Sequence, residues 1–391
     1  MGAFLTGPGW EGEGCAVMGV IFRPGILLLA VGFLIGARLG AVEPVNPNTD
    51  APARQLLGYL ASVYRQKTLA GFATGAIDQS GYFGMNYPVT GKREAIQALD
   101  MEWTDVSPAG MQQVVDAYYR TGTILSFQWH WYFNGESAWK NQRTRQVDVG
   151  RMVTPGTAEN AQAMVELGRV AAALKYLDTH AVPVIWRPLH EISGGWFWWT
   201  DSGKPENTAA LYRMIFKVFT GDYQLRNLIW VWNTGGNFDP RFYPGDPYVD
   251  LVGDDIYGSD YRNGRKVYWD SWNALSAIAP GKMIALCECG ALPNPDLMAS
   301  GVTPPWLYAM MWFGAGFGGN PQDWTVRAVN HDWMVTRERL PVLVAHGNVS
   351  PQVGIVSPLD NGEGRFNGSW PLIRAFAVDL DGSIDRVEFF A

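Results

Sequence analysis

The stretch V-I-W-R-P-L-H-E-I-S-G-G-W-F-W-W-T, residues 184–200, opens as a short apolar run of the kind that forms a buried strand. The run then delivers two ionisable side chains, His190 and Glu191, and passes into a loop with two glycines and four large aromatic residues. A carboxylic acid at the mouth of a buried strand, covered by indole rings, suits acid chemistry on an amphipathic ring. The alternative interpretation is a core strand followed by a surface loop in which the glutamate is incidental.

Short apolar runs alternate with amphipathic segments on both sides of this stretch. The predicted strands are residues 68–73, 95–101, 123–131, the run from 184, 227–233, 249–257, 283–289 and 306–312. The predicted helices are 53–65, one from Ser107-Pro108 to about Arg120, 158–178, one from Asn207 or Thr208 to near Gly221, and 269–278. This alternation predicts an α/β protein with a (β/α)8 TIM barrel. An open doubly wound sheet is the rival, but no glycine-rich dinucleotide motif opens an early helix.

Four regions are predicted along the 391 residues. Residues 1–41 carry the positive start, apolar run and small residues of a leader or signal peptide, with Met18 as an alternative translation start. A retained N-terminal membrane anchor is the alternative. Residues 42–52 are a linker, 53–347 are the barrel domain, and 348–391 are the start of a β-sandwich module. We therefore expect a secreted protein, either extracellular or periplasmic.

The predicted β-sandwich module is read from two alternating segments, residues 374–380 and 384–390, around an Asp381-Gly382 hairpin turn. The chain ends at Ala391 after too few strands to close a sandwich, so we expect this module to be truncated.

Charge and composition narrow the class of partner. The chain has 30 Lys plus Arg and 37 Asp plus Glu, giving a net charge of -7, and no block of like charge stands out. This disfavours nucleic acids and anionic membranes and favours a neutral substrate. Eighteen tryptophans, many beside glycine or polar residues, indicate stacking surfaces. We expect a monomer.

The sequence does not match the metal-binding motifs that its His-Glu and Asp-rich segments suggest. His190-Glu191 does not open an H-E-x-x-H motif because residue 194 is Gly, and residues 379–382 lack the ligand spacing of a calcium loop. Cys287 and Cys289 flank Glu288, and strand periodicity predicts both thiols on the face opposite the glutamate. A disulfide between them would be strained, so we expect two free buried thiols, no metal site and no cofactor.

Functional side chains of a parallel barrel gather at the carboxyl ends of its strands. The candidates there are His130, His190, Glu191, Asn233, Asp254, Asp255, Tyr257, Glu288 and Trp312. Glu191 and Glu288 end two apolar strands on opposite parts of the rim. Cleavage of a glycosidic bond needs such a pair, and carboxyl groups about 5–5.5 Å apart imply retention of configuration. Aromatic cover would keep Glu191 protonated, whereas a phenol hydrogen bond from Tyr257 would favour ionised Glu288.

The segment R-P-L-H-E-I-S-G-G-W-F-W-W, residues 187–199, strongly resembles the acid/base strand of glycoside hydrolase family 26, whose members are mostly endo-β-1,4-mannanases. The resemblance covers about residues 55–345. It implies a (β/α)8 barrel that hydrolyses β-1,4-mannan with retention, with Glu191 as acid/base and Glu288 as nucleophile. The other roles that it implies are sugar binding by His130, His190 and Trp196, contact with the nucleophile by Tyr257, and a platform beneath the sugar at Trp312.

Three departures from the family pattern bear on the choice of sugar rather than on the chemistry. Ile192-Ser193 stand where Met-Asn is common, Cys289 where Phe commonly follows the nucleophile, and Phe313-Gly314 where some members carry a polar or basic residue. Two alternatives to a mannanase therefore stay open. One is a related glycanase acting on mixed-linkage β-glucan or β-1,3-xylan, and the other is a non-catalytic carbohydrate-binding barrel.

Several of the predicted residues also have purely structural interpretations. Asp254 and Asp255 are interpreted as supporting residues, and Trp129, Trp131, Trp198 and Trp199 as either sugar platforms or core.

The C-terminal module resembles the Ig-like repeats that are appended to secreted glycanases.

Overall fold

The computed structural model describes residues 42–75, 86–257, 265–312, 320–341, 343, 352–357 and 374–378. The predicted leader and the predicted strand at 384–390 lie outside the described residues. Among the described helices, none is long and apolar enough to cross a membrane.

Eight parallel strands form a closed barrel, which confirms the predicted (β/α)8 fold. They are β1 (Thr68–Gly75), β2 (Ile96–Asp100), β3 (Ile124–Gln128), β4 (Val184–Arg187), β5 (Leu228–Thr234), β6 (Leu251–Ile256), β7 (Met283–Cys289) and β8 (Tyr308–Trp312). Each strand pairs with the next along the chain, and β1 pairs with both β2 and β8, which closes the sheet. A short strand, β9 (Met334–Val335), adds to the start of β1.

The described α-helices are α1 (Ala51–Val63), α2 (Tyr87–Thr90), α3 (Pro108–Thr121), α4 (Val149–Met152), α5 (Ala158–Thr179), α6 (Pro205–Lys217), α7 (Arg265–Ile278), α8 (Pro295–Ala299) and α9 (Gln322–Asn330). Five of them, α1, α3, α5, α6 and α7, overlap the helices that the sequence pattern predicts, whereas α2, α4, α8 and α9 were not predicted. The side chain of Ser107 caps α3 and that of Thr157 caps α5. The predicted start of α6 at Asn207 or Thr208 is wrong, because Pro205 occupies the first turn and begins the helix earlier.

Side chains of each strand alternate between the inside of the barrel and the layer under the helices. In β5, Ile229 and Val231 join the inner cluster, whereas Trp230 and Trp232 join the outer one. At the carboxyl ends the inward positions become polar and buried: Asp100, Gln128, Arg187, Asn233 and Asp255. The alternation that builds the core therefore also delivers polar groups to one end of the barrel.

The third strand is shorter than predicted. It ends at Gln128, whereas the sequence pattern extends it to residue 131. The backbone N–H of His130 donates to the carboxylate of Asp100 at 3.2 Å and so leaves the ladder of strand hydrogen bonds. The apolar pattern continues because Trp129 and Trp131 are buried outside the sheet.

The predicted placement of the two thiols is wrong, although both cysteines are free and buried. Cys287 packs with the inner cluster and Cys289 with the outer one. The register of β7 shifts between Leu286 and Cys289, so Glu288 rather than Cys287 pairs with Asp255 of β6. A bulge of this kind breaks the period of two and turns Glu288 towards Arg187 inside the barrel.

Two further strands, β10 (Gln352–Ser357) and β11 (Arg374–Val378), form an antiparallel sheet of their own. The second corresponds to the first half of the predicted hairpin. The predicted Ig-like module stays a prediction, because its remaining residues lie outside the described part of the chain.

Candidate active site

Glu191 is held on a tight turn that follows β4. Both Leu189 and Glu191 adopt a φ of 50°, in the left-handed region that costs a non-glycine residue about 1–2 kcal/mol. The turn is fixed by β5, since the N–H of Glu191 donates to Asn233 Oδ1 at 2.8 Å and the N–H of Ile192 donates to the Asn233 carbonyl at 3.0 Å. Strain at this position is therefore balanced by hydrogen bonds that aim the carboxyl group.

The indole of Trp196 covers Glu191, and its Nε1–H donates to Glu191 Oε2. The ring can lie there only because residue 194 is glycine: a Cβ on Gly194 would stand 2.3 Å from the ring. Gly235 on the neighbouring loop has less severe confinement, because a Cβ there would come within 3.1 Å of Glu191 Cβ. Trp196 is 41% exposed, so one face of this cover is open to a ligand.

Glu288 lies on the other side of the barrel mouth and is nearly buried. Its Oε1 accepts from the guanidinium of Arg187, and its Oε2 accepts from the phenol of Tyr257 at 2.5 Å. Tyr257 is 49% exposed, and both burial and the charge of Glu288 raise the pKa of its phenol, so it stays a donor. Both oxygens of Glu288 are thus held by donors that suit its ionised form.

Carboxylate oxygens of Glu191, Asp255 and Glu288 lie within 4.8 Å of one another. Arg187 bonds Asp255 at 2.8 Å and also contacts Glu288, and the carboxylates of both raise its pKa despite its burial. One guanidinium cannot balance three carboxylates. Burial and the neighbouring charge of Glu288 raise the pKa of Glu191 to about 7, and burial raises the pKa of Asp255 well above its usual range despite the nearby Arg187 charge.

The same three carboxylates are spaced closely enough to be considered as metal ligands. The guanidinium of Arg187 already occupies the cationic position beside two of them, and it is further fixed by Asn233 Oδ1 at 2.7 Å. A divalent ion would have to share these oxygens with a fixed positive charge, which opposes binding.

His130 and His190 lie together beside this acidic cluster. Their Nε2 atoms are 3.3 Å apart, and both side chains are buried. The ring of His130 is stacked between the indoles of Trp103, at 4.5 Å, and Trp139, at 4.8 Å. Burial lowers the pKa of His190 well below its usual range, with further lowering by His130 and Arg187. The neutral form of His190 therefore dominates at neutral pH.

Trp312 ends β8 with its side chain half-buried at the rim. Its ring centroid lies 6.2 Å from that of Trp103, with the planes 65° apart. Trp103 is 40% exposed, so the two indoles together line an aromatic corner next to the histidine pair. Six of the predicted residues are thus joined in two contact groups. One group is Glu191–Trp196 with Glu288–Tyr257 and the other is His130–His190, while Trp312 reaches the second group through Trp103.

Comparison with known proteins places this arrangement in a family. The sequence model described as Glycosyl hydrolase family 26 matches residues 45–339, most of the chain. The chain belongs to glycosyl hydrolase family 26.

Family 26 relatives include enzymes and solved structures. The chain is 33% identical over 288 residues to a mannan endo-1,4-beta-mannosidase of Thermothelomyces thermophilus, covering 68% of this chain and 56% of that protein. It is 31% identical to mannan endo-1,4-beta-mannosidase B of a Piromyces species, covering 64% of this chain and 45% of that protein. The chain thus spans about half the length of these curated relatives.

Among solved structures of the family, the Podospora anserina GH26-CBM35 beta-(1,4)-mannanase superposes with a TM-score of 0.64 at 29% identity, over 76% of this chain and 68% of that chain. A beta-mannanase from a symbiotic protist of the termite Reticulitermes speratus, solved with a gluco-manno-oligosaccharide, gives a TM-score of 0.66 at 27% identity, over 77% of this chain and 98% of that chain. In both comparisons about three quarters of this chain is superposed.

Sequence reasoning missed several residues of this family 26 site. Arg187, which organises the acidic cluster, stood inside the quoted stretch as the last inward residue of a strand. Asp100 is likewise the last inward-facing residue of β2. This position in the alternating strand pattern could have identified both residues as candidates for the site. Trp103 and Trp139 gave no signal, because each lies in an irregular loop.

The structure also distinguishes core residues from site residues among the other candidates. Trp129, Trp131, Trp198 and Trp199 are at most 2% exposed and belong to the core, not to a sugar platform. Asp254 faces the helices and accepts from Ser271 and Thr234, whereas Asp255 lies within the acidic cluster.

Proposed function

We propose that this family 26 chain is a retaining endo-β-1,4-mannanase in which Glu191 is the acid/base and Glu288 the nucleophile. The observation that carries the proposal is the approach of their carboxylate oxygens to within 4.8 Å. Retaining glycosidases keep the two carboxyl groups about 5–5.5 Å apart, whereas inverting enzymes hold them farther apart to admit a water molecule. Names of relatives with about one third identical residues supply mannan as the substrate.

The division of labour follows from the surroundings of each carboxyl group. Glu191 carries a proton up to about pH 7 and can deliver it to the leaving oxygen of a glycosidic bond. Glu288 is held by the Arg187 guanidinium and the Tyr257 hydroxyl, so a charged oxygen faces the anomeric carbon. After glycosylation of Glu288, Glu191 has lost its proton and can activate the water that releases the sugar.

The polymer would lie across an open rim. Trp196 and Tyr257, each about half exposed, stand beside the two carboxyl groups and can stack on sugar faces on either side of the cleaved bond. The histidine pair and Trp312 would contact the sugar at the cleavage point, and the chain would act as a monomer without a cofactor. These contacts suit an uncharged polysaccharide.

A reducing-end assay on β-1,4-mannan tests the activity, and NMR of the first products tests retention. We expect the β-anomer to appear first, and Glu191→Ala and Glu288→Ala each to lower turnover by at least about 10⁴-fold with the fold preserved. An aryl mannoside with a good leaving group should restore glycosylation in Glu191→Ala, and azide should then release a β-mannosyl azide. Glu288→Ala should yield no β-azide. First appearance of the α-anomer, or near-native turnover of either variant, would overturn the assignment.

Substrate choice is tested with a panel of mannan, glucomannan, mixed-linkage β-glucan and β-1,3-xylan. Hydrolysis of mannan and glucomannan ahead of the other two is expected. Preference for glucan or xylan would keep the mechanism and change the substrate. Binding without product after long incubation would identify a non-catalytic barrel.

We further propose that the protein is exported, on the strength of the signal-like pattern in residues 1–41. N-terminal sequencing of protein recovered outside the cytoplasm should begin near Val42. Recovery of the intact leader in the membrane fraction would instead identify an anchor.

A further inference from the structure

A buried carboxylate at the end of β2 stands behind the histidine pair. Asp100 Oδ2 lies 2.6 Å from His130 Nδ1, and Asp100 is fully buried. The other oxygen, Oδ1, accepts the backbone N–H of Glu102 at 2.9 Å and that of His130 at 3.2 Å. The carboxylate is therefore fixed in orientation and directs one oxygen at the imidazole.

His130 in turn contacts His190 through the opposite nitrogen of its ring. The two Nε2 atoms are 3.3 Å apart, so the contact holds one proton. Stacking between Trp103 and Trp139 prevents His130 from turning away. His190 is 1% exposed, and its Nδ1 has no hydrogen-bond partner among the described residues.

The chain of contacts fixes where the protons lie. A carboxylate only accepts hydrogen bonds, so Nδ1 of His130 carries the proton that Asp100 receives. In the neutral ring, Nε2 of His130 is then an acceptor. His190 therefore donates its own Nε2–H, and its Nδ1 keeps a lone pair that nothing else in the described structure uses.

We propose that Asp100 is a positioning residue, which sets the tautomers of His130 and His190 and thereby holds the segment that carries Glu191. This inference rests on the proposed function for its catalytic consequence, but not for the tautomers themselves. His190 directly precedes Glu191, and its carbonyl accepts the Nε1–H of Trp199 at 3.2 Å. Both the ring and the backbone of His190 are thus tied, and the strained turn at Glu191 begins from a fixed point.

An amide at position 100 should reverse the tautomers. In Asp100→Asn, the amide oxygen should take the position of the present Oδ1, because the backbone N–H groups of Glu102 and His130 donate to that position. The NH2 group then occupies the Oδ2 position and donates to His130 Nδ1. His130 must move its proton to Nε2, where it meets the Nε2–H of His190, so one of the two histidines must change tautomer or the contact must break.

The test is ¹⁵N NMR of the ring nitrogens in the full chain, which has five histidines. The wild-type protein should show His130 protonated at Nδ1 and His190 protonated at Nε2, and Asp100→Asn should show His130 protonated at Nε2. Assignment uses His130→Gln and His190→Gln. Glu94→Gln is the matched control, because it neutralises a buried acid at the opposite end of β2 and should leave both tautomers unchanged.

Kinetics then separate positioning from folding. We expect Asp100→Asn to lower kcat by about 10- to 100-fold on whichever glycan the wild type hydrolyses, with KM changed less than about threefold. Neutral His130 found with Nε2–H in the wild type would overturn the proposal without a variant. Reversed tautomers with unchanged kcat would remove the positioning role. Failure to cleave mannan would affect only the proposed substrate, because the tautomers are measured without it.

Discussion

Two glutamates at opposite ends of the barrel, the half-buried Glu191 and the buried Glu94, share a raised pKa and differ in function. Burial raises the pKa of Glu191, at the carboxyl ends of the strands, and that of Glu94, which precedes β2, each to about 7. Glu94 is 2% exposed and accepts from the Asn86 amide at 2.8 Å, and its second oxygen has no partner among the described residues. Glu191 faces a second carboxylate within 4.8 Å, under an indole that is open on one face.

The difference shows that a raised pKa is a consequence of burial and does not by itself mark a catalytic acid. At the carboxyl ends of the strands, the site around Glu191 also has a fixed cation, Arg187, beside the carboxylates. It has in addition a phenol, that of Tyr257, donating to Glu288, and an exposed side through which substrate can enter. At the amino end, the Asn86 amide donates to Glu94, and Glu338 and Arg93 affect its pKa less than burial does. Four substitutions can break or sharpen this comparison, and they are ordered by their expected effect on turnover.

The largest effect is expected from Arg187→Met, which removes the cation that two buried carboxylates share. Asp255 and Glu288 would then face each other unpaired, and the unfolding free energy should fall by about 3–5 kcal/mol. Turnover should fall by more than about 100-fold, since Glu288 loses the group that fixes one of its oxygens. Urea unfolding and initial rates at pH 6 measure the two effects.

The control is Arg187→Lys, which keeps the charge but cannot bond both carboxylates and Asn233 at once. It should lie between the wild type and Arg187→Met in both measurements. Equal stability of all three proteins would show that the cluster does not depend on the guanidinium.

A smaller effect is expected from Trp196→Phe, which keeps an aromatic cover and removes one donor. The indole N–H lowers the pKa of Glu191 against the larger effect of burial, so its loss should raise that pKa further. The basic limb of kcat/KM against pH, near pH 7 in the wild type, should move to higher pH by up to about 1 unit. A limb that stays in place or moves to lower pH would contradict this role of Trp196.

Gly194→Ala should move the basic limb in the opposite direction, to lower pH, because displacing the indole exposes Glu191 and burial is the larger cause of its raised pKa. A Cβ at residue 194 would stand 2.3 Å from the Trp196 ring and displace it from Glu191. Gly58→Ala is the control, since no atom lies within 4 Å of its added Cβ and the helix α1 accepts alanine.

How far the sequence leads can be judged from particular residues. The strand positions were predictable because the strands are short apolar runs in the sequence. The two glutamates were predictable because each follows or ends such a run. The bulge in β7 was not predictable: a single extra residue places Glu288 inward and separates the two thiols, and no local signal in A-L-C-E-C-G marks it. The roles of Arg187 and Asp100 could be predicted only from their inward-facing positions in the alternating pattern of each strand, since the residues that they contact come from other parts of the chain.

The smallest effect on turnover is expected from Glu94→Gln, which should leave kcat and its pH profile unchanged and alter only stability. The folded pKa of Glu94, about 7, exceeds the usual glutamate value of 4.5, so the folded state binds the proton more tightly than the unfolded one. Its contribution is full below about pH 4.5 and is lost as pH rises through about 7, a change of about 3 kcal/mol at about 1.4 kcal/mol per unit. The unfolding free energy of Glu94→Gln should therefore depend less on pH over that window. A glutamine variant that moved the basic limb of activity would mean that the two ends of the barrel are coupled, and the contrast between Glu94 and Glu191 would fail.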